Sequence, residues 1–161
     1  MKYSKAILAA AIGLACLAGT VAAEETGESG SLARDARNWY KKTYAADFVS
    51  GSADFYGHYP EQVQFIRGRT ARILSRAEFE AALNEHYVVP WTRAGWRNTR
   101  LVSVEASPLG PGTALLAARW QMTDGNGNSV TGCALPGWTY VALRSESTWK
   151  IITEIEGDCQ P

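Results

Sequence analysis

The sequence is poor in the residues on which metal and nucleophilic chemistry depend. It has only two histidines, His58 and His86, and three cysteines among 161 residues. A protein metal site uses about three ligands of suitable type, and the two histidines belong to no ligand motif. We therefore predict no metal and no other cofactor. The sequence also lacks a glycine-rich phosphate loop, a nucleophile elbow and a cysteine–histidine pairing, the common signatures of nucleotide-binding and triad enzymes.

An excess of charge of one sign is also lacking. Basic and acidic residues number 16 each, so the formal net charge is zero. The basic residues are scattered, apart from short groups around residues 67–76 and 93–100. A nucleic-acid-binding domain would concentrate them in a patch or stripe. We expect no nucleic-acid partner.

The N-terminus has the order of a secretory signal peptide. Lys2 and Lys5 precede an apolar stretch over residues 6–17, and small residues follow up to Ala23. Charged, apolar and cleavage-site regions come in this order in such peptides. No later apolar run is long enough to cross a bilayer, so we expect no membrane contact after cleavage.

An uncleaved membrane anchor is one alternative, but the apolar stretch is short and interrupted by glycine. A lipoprotein signal at Cys16 is another, and the residues before it fit that signal poorly. We predict a signal peptide over residues 1–23, a flexible leader over 24–31 and a single domain over 32–161. The protein is expected to be exported, to the periplasm or to the medium.

Helical patterns dominate the first half of the domain. Apolar residues recur at helical spacing from Leu32 to Phe48, and Gly51 ends this pattern. Ser75 stands three residues before Glu78, which is the arrangement of a capping box at the start of a second long helix. Phe79, Ala82, Leu83 and His86 mark one face of that helix. Between the helices, an alternation around Gly68 predicts a small hairpin.

The second half is rich in β-branched and aromatic residues and is interrupted by glycine-rich turns. Four consecutive antiparallel strands are predicted, at about 98–107, 112–123, 128–144 and 147–157. Helices followed by a strand meander indicate an α+β fold.

The two cysteines that remain after cleavage, Cys133 and Cys159, are predicted to form a disulfide. If the last hairpin turn is centred on residues 145–146, Cys133 falls directly opposite Cys159, within bridging distance. Export to an oxidising compartment favours the bond. Two buried thiols are the alternative, and a bulge at Pro136–Gly137 would shift the register.

The order of elements resembles the nuclear transport factor 2-like fold, also called a cystatin-like roll. The similarity covers about residues 32–157 and is supported by the helix RNWYKKTYAADF, the segment FYGHYPEQVQFIRG and the last strand TWKIITEI. The resemblance implies a cone-shaped, curved antiparallel sheet packed against N-terminal helices around a pocket.

Members of this superfamily include ketosteroid isomerases, polyketide cyclases, dehydratases and domains without catalysis, so function must be argued from the site. The isomerase resemblance implies a carboxylate base near Ile66 and Arg67, but no acid lies between Gln62 and Gly68. The cyclase resemblance implies a histidine–aspartate pair in the late strands, and those strands contain no histidine. Neither mechanism carries over.

Three residues remain as weak catalytic candidates: His58, with Asp54 nearby, and Tyr56. A histidine can serve as a general base when it reaches a substrate proton. The alternative, which we favour, is that His58 is a turn residue beside the pocket with a solvated edge.

Many aromatic residues must fill the space between helices and sheet, and some are expected to line a pocket. The predicted pocket residues are Tyr40, Tyr44, Phe55, Tyr59, Phe65, His86, Trp120 and Tyr140. Under the predicted pairing, one sheet face also carries Arg100, Arg119, Tyr140 and Glu154. These four would form either a polar site on the concave face or, as we favour, a solvated ion-pair surface on the convex face.

Two functions follow from these patterns. The first is an exported, non-catalytic domain that binds a small apolar ligand or a partner protein in an aromatic pocket. The second is an isomerase-, cyclase- or dehydratase-type enzyme for a small apolar substrate. Homodimerisation through the open sheet face is compatible with both.

Overall fold

A computed structural model of the chain describes residues 28–160. The predicted signal peptide, residues 1–23, lies outside these residues, as does the first part of the predicted leader. Within residues 28–160 no helix is both long enough and apolar enough to cross a bilayer.

One long helical segment opens the fold. It consists of α1 (Glu28–Trp39), a π-helical turn (Tyr40–Tyr44) and α2 (Ala45–Ser50). The segment begins inside the predicted leader, so residues 28–31 are helical. It ends at Gly51, as predicted, because this residue adopts a left-handed conformation with φ of 66° that a glycine accepts without strain.

A short 3-10 turn (Phe55–His58) leads into the small hairpin of β1 (Gln62–Arg67) and β2 (Thr70–Ser75). The capping box then begins α3 (Arg76–Leu83), as predicted. The Ser75 backbone N–H donates to Glu78 Oε2 at 2.8 Å, and the Glu78 N–H donates to Ser75 Oγ at 3.3 Å. A π-helical turn (Asn84–Val88) and α4 (Val89–Arg93) follow.

The second half forms the four predicted strands: β3 (Asn98–Gly110), β4 (Thr113–Thr123), β5 (Leu135–Ser145) and β6 (Thr148–Gln160). The third of them begins at Leu135 and not near residue 128, because residues 124–134 form a loop held by Asp124.

All six strands lie in one curved sheet that does not close, in the order β2-β1-β6-β5-β4-β3. The α+β class is thus confirmed. The sheet is mixed, since β1 runs parallel to β6 while every other neighbouring pair is antiparallel. The predicted curved antiparallel sheet therefore contains one parallel pair, β1 with β6.

The core lies between the helices and the concave face of the sheet. Alternate residues of β4 are buried there, from Ala114 through Leu116, Ala118 and Trp120 to Met122. The opposite, convex face carries the residues between them. This period-two pattern fixes which side chains of the central strands face the helices.

A β-bulge at Ile152 interrupts the pairing of β5 with β6. Ile151 pairs with Ala142 and Thr153 pairs with Val141, so Ile152 has no partner of its own. An extra residue in one strand reverses the inward and outward faces beyond it. The side chains of residues 153–156 therefore point to the face opposite the one that strict alternation predicts.

A second irregularity lies near the end of the same pair, where Gly137 faces Gly157 and its neighbour. A Cβ on Gly157 would lie 2.5 Å from the Gly137 carbonyl oxygen, so the two backbones approach too closely for any larger residue. Pro136, and not Cys133, pairs with Cys159. The predicted register was wrong there.

The predicted disulfide is nevertheless present. Cys133 and Cys159 are bonded, with their Cα atoms 5.7 Å apart. The loop before β5 brings Cys133 back to the end of β6, although Cys133 belongs to no strand.

Candidate functional site

A cavity of about 270 Å³ lies between the helices and the concave face of the sheet and is partly open to solvent. Its wall is mostly apolar and aromatic. The sheet contributes Trp120 and Met122 from β4, Trp138 and Tyr140 from β5, and Glu154 from β6. The helical layer contributes Tyr44, Asp47, Phe48, Phe55, Tyr56, Leu83, Tyr87, Val88 and Trp91; Gly51, Ser52 and Trp96 complete the lining.

Glu154 is the polar residue at the sheet side of this wall. Strict alternation from the buried Ile151 would turn Thr153 inward, but the bulge at Ile152 turns Glu154 inward instead. Thr153 then faces the other side of the sheet, where its Oγ1 donates to Gln64 Oε1 at 3.2 Å. The Glu154 side chain is left among aromatic rings, with only 4% of the residue exposed.

Two tyrosine hydroxyls connect this carboxyl group to the helices. The Tyr59 hydroxyl donates to Glu154 Oε2 at 2.8 Å, and the Tyr44 and Tyr59 hydroxyl oxygens are 2.5 Å apart. Tyr59 is fully buried, whereas Tyr44 and Glu154 both line the cavity. The chain of hydroxyls holds the carboxyl group in one orientation toward the cavity.

Burial raises the pKa of Glu154 from 4.5 to about 7. The hydrogen bond from Tyr59 opposes this rise, and the negative charge of Glu156 adds to it. Burial also raises the pKa of Tyr44, Tyr59 and Tyr140 well above the ordinary value. Near neutral pH, Glu154 is thus present both as a carboxylic acid, which can donate a hydrogen bond, and as a carboxylate, which can accept a proton.

His58 lies at the end of the 3-10 turn, and its partner is Asp47 and not Asp54. Its Nε2 is 2.6 Å from Asp47 Oδ2, and its ring packs edge-on against Trp39 with centroids 5.7 Å apart. The side chain is only 13% exposed, so the expected solvated edge was wrong. Asp47 lines the cavity whereas His58 does not. The pair places a second carboxylate on the cavity wall.

The two remaining catalytic candidates, Asp54 and Tyr56, differ in their position relative to the cavity. Asp54 is exposed and does not line the cavity, whereas Tyr56 does. Half of the eight predicted pocket residues also line it: Tyr44, Phe55, Trp120 and Tyr140.

The other four predicted pocket residues do not line this cavity. Tyr40, Tyr59 and Phe65 are core residues packed behind its wall. His86 lines a second cavity, and its neighbour Tyr87 lines both; the two residues lie in the π-helical turn Asn84–Val88. The prediction assumed 3.6 residues per turn throughout, and a π-helical turn changes which residues share one face of the helix.

The four residues predicted to share one sheet face are divided between the two faces. Tyr140 pairs with Glu154, and both are buried on the concave side. Arg100 donates to Gln121 and Arg119 pairs with Asp158, both on the solvated side. The preference for the convex face was therefore correct for the arginines and wrong for Tyr140 and Glu154.

Glu154 was not predicted as the acid of the site. The isomerase resemblance points to the stretch between Gln62 and Gly68, where this chain has no acid. The predicted pairing of the last hairpin does place Tyr140 and Glu154 on the same face of the sheet. Whether that face is concave or convex depends on the bulge.

Comparison with protein families gives one match. The family described as "NTF2-like protein (DUF6841)" matches residues 34–159 of this chain. No curated protein matches the chain.

Several solved structures share the fold at low sequence identity. An NTF2-like protein of unknown function from Shewanella oneidensis MR-1 is 18% identical, with a TM-score of 0.58 over 78% of this chain and 98% of that chain. A cystatin-like domain of unknown function from Nostoc punctiforme PCC 73102 is 14% identical, with a TM-score of 0.53 over 83% and 81%. A putative scytalone dehydratase from Novosphingobium aromaticivorans DSM 12444 is 7% identical, with a TM-score of 0.55 over 79% and 84%. At these identities the similarity shows the fold alone.

Proposed function

The chain belongs to the NTF2-like family DUF6841, and on that premise we propose that it binds a small, largely apolar molecule with one hydrogen-bonding group. The observation that carries the proposal is an aromatic cavity whose wall contains a buried, oriented carboxyl group. Ligand sites generally combine apolar walls with a few fixed polar groups. A volume of about 270 Å³ is near the lower end of the usual range of about 300–1,000 Å³, which limits the ligand to one or two rings.

The site is proposed to act outside the cytoplasm. The disulfide between Cys133 and Cys159 supports this, because such bonds persist in oxidising compartments. The signal-like N-terminus supports it independently.

We expect 1-naphthol, used as a probe, to bind in this cavity and to be excluded when its mouth is filled. Ser52 lines the cavity, so a tryptophan there should lower the affinity at least about tenfold by occupying the space. Isothermal titration calorimetry at pH 5.5 measures it. Ser50→Trp is the matched control, because Ser50 is exposed and does not line the cavity.

The polar group of the probe gives a second comparison. A neutral hydrogen bond contributes about 1 kcal/mol, so 1-naphthol should bind about fivefold more tightly than naphthalene. Glu154→Leu should abolish that preference. Equal binding of 1-naphthol by the Ser52→Trp and Ser50→Trp variants would rule out the cavity as the site.

Proton transfer to a bound substrate is a second candidate function, supported by the pKa of about 7 at Glu154. A base of that pKa can remove a proton from the carbon beside a carbonyl group and return it as the acid. We expect the protein to accelerate incorporation of solvent deuterium into the ketone probe 2-tetralone, and Glu154→Gln to abolish the acceleration. NMR or mass spectrometry follows the exchange, with Glu61→Gln as a control at an exposed acid. Exchange no faster than in buffer would leave the binding function alone.

Homodimerisation through the convex sheet face stays a prediction. Leu143 of β5, 40% exposed, is one apolar residue that such an interface would cover.

A further inference from the structure

The wall of the aromatic cavity carries two acids and, among the described residues, no basic side chain. Asp47 and Glu154 are the acids, and no lysine, arginine or histidine of residues 28–160 lines the cavity. Asp47 has a partner outside the lining, because its Oδ2 lies 2.6 Å from His58 Nε2. Glu154 forms no ion pair in the described part of the chain. When it ionises, its charge is therefore not offset by the fold.

Neutral phenol rings surround the Glu154 carboxyl group. Burial first, and the charge of Glu154 in addition, raise the pKa of six tyrosine hydroxyls: Tyr40, Tyr44, Tyr56, Tyr59, Tyr87 and Tyr140. These hydroxyls stay uncharged at neutral pH. The charge of Glu156 has the same sign as that of Glu154 and adds to the rise in the pKa of Glu154 that burial causes. The groups around the carboxyl group thus supply hydrogen bonds but no positive charge.

One oxygen of this carboxyl group is open to a ligand. Oε2 accepts from the Tyr59 hydroxyl at 2.8 Å, whereas Oε1 has no hydrogen-bond partner within residues 28–160. Tyr59 is a core residue behind the wall, and Glu154 lines the cavity, so Oε1 is the oxygen that a bound molecule can reach. Buried carboxylates are normally paired with a cation. At this position the cation can come from the ligand.

We propose that the ligand of this cavity is a small cyclic amine, bound as its ammonium ion. Its N–H groups donate to Glu154 Oε1, and its hydrocarbon body packs among the aromatic rings of the wall, whose electron-rich faces attract cations. This inference rests on the proposed function and narrows the single hydrogen-bonding group of the ligand to a positively charged one.

Other ligand classes fit the lining less well. An anion would meet Asp47 and Glu154 without a basic residue of the wall to receive it. A neutral alcohol can bond to Oε1, but it leaves the ionised carboxyl group without a counter-charge. A bare metal ion needs more ligands, and within residues 28–160 no group of three or more His, Cys, Asp or Glu side chains is arranged to hold one.

The test compares three probes of one shape that differ in charge. They are 1-aminoindane, which is a cation at pH 8, the neutral 1-indanol and the anion indane-1-carboxylate. Isothermal titration calorimetry at pH 8 should show the amine binding at least about tenfold more tightly than the alcohol, because the carboxylate is poorly screened in the cavity. The carboxylate probe should bind most weakly.

Proton release gives a second measurement. With a pKa of about 7, Glu154 carries a proton in about nine of ten molecules of the free protein at pH 6. An ammonium ion favours the ionised form, so 1-aminoindane should release close to one proton on binding at pH 6, and 1-indanol none. The affinity for the amine should fall about thirtyfold from pH 8 to pH 5.5. Calorimetry in buffers of different ionisation enthalpy counts the protons.

Substitutions assign the charge to one residue. Glu154→Gln should abolish both the preference for the amine and the proton release. A histidine can also gain a proton in this pH range, so His58→Gln, at a residue outside the lining, should keep the proton release. Glu61→Gln, at a largely exposed acid, should match the wild type in both measurements.

Equal affinity for 1-aminoindane and 1-indanol at pH 8 would overturn the inference. A preference that persists in Glu154→Gln, or that Asp47→Asn removes and Glu154→Gln does not, would overturn it too. In these cases, binding of 1-indanol that Ser52→Trp prevents would leave the proposed function standing. If neither the three probes nor 1-naphthol bind, the proposed function and this inference both fail.

Discussion

The free energy of unfolding of the wild-type protein should fall by about 3 kcal/mol between pH 4.5 and pH 8 because of Glu154. Replacing Glu154 by glutamine should abolish this fall. A carboxyl pKa that rises from 4.5 in the unfolded chain to about 7 in the fold corresponds to about 1.4 kcal/mol per pH unit across that interval. Glutamine keeps an oxygen that accepts the Tyr59 hydrogen bond but cannot ionise.

The sign follows from proton binding. Below pH 4.5 Glu154 is protonated in both states, and its burial as a neutral group has its full favourable effect. As the pH rises, the unfolded chain releases this proton first, so the free energy of unfolding falls until the folded protein also ionises near pH 7. Glu78 and Asp124 have lowered pKa values; stability that they contribute is lost only on acidification below this interval.

Chemical denaturation at a series of pH values measures the effect. The difference in unfolding free energy between Glu154→Gln and wild type should move by about 3 kcal/mol in favour of the variant from pH 4.5 to pH 8. Glu61→Gln, at a largely exposed position, should track the wild type throughout. A constant difference between Glu154→Gln and wild type would mean that Glu154 ionises in the fold as it does in water.

The features that could be predicted from the sequence depend on local chemistry. Gly51 ends the first helical segment because a left-handed residue is needed there, and Ser75 with Glu78 caps α3 through hydrogen bonds within four residues. The glycine-rich turns delimit the strands for the same reason. Each of these signals is contained in a few adjacent residues.

The features that were missed depend on register, which is not local. The bulge at Ile152 turns Glu154 inward, and a single extra residue is enough to exchange the two faces of the strand. The π-helical turns around Tyr44 and Tyr87 rotate the following residues in the same way within the helices. Four of the eight predicted pocket residues therefore line the cavity, while the acid of the site was not predicted.

Removing the disulfide should produce a loss of stability of similar size but without dependence on pH. The bond between Cys133 and Cys159 closes a loop with a sequence separation of 26 residues, for which the chain-entropy relation gives about 3.5 kcal/mol. The Cys133→Ala/Cys159→Ala variant should therefore lose about 3.5 kcal/mol in its free energy of unfolding in denaturant titrations at pH 7.

The same bond also holds two parts of the fold together, an effect that the chain-entropy relation does not include. Cys133 lies in the loop of residues 124–134 and Cys159 at the end of β6, and both line the second cavity. Wild-type protein treated with dithiothreitol should match the double alanine variant, because residues 24–161 contain only these two cysteines. The variant itself should not respond to dithiothreitol. A loss below about 1 kcal/mol would show that the loop and β6 are already held together by their other contacts, among them the pairing of Pro136 with Cys159.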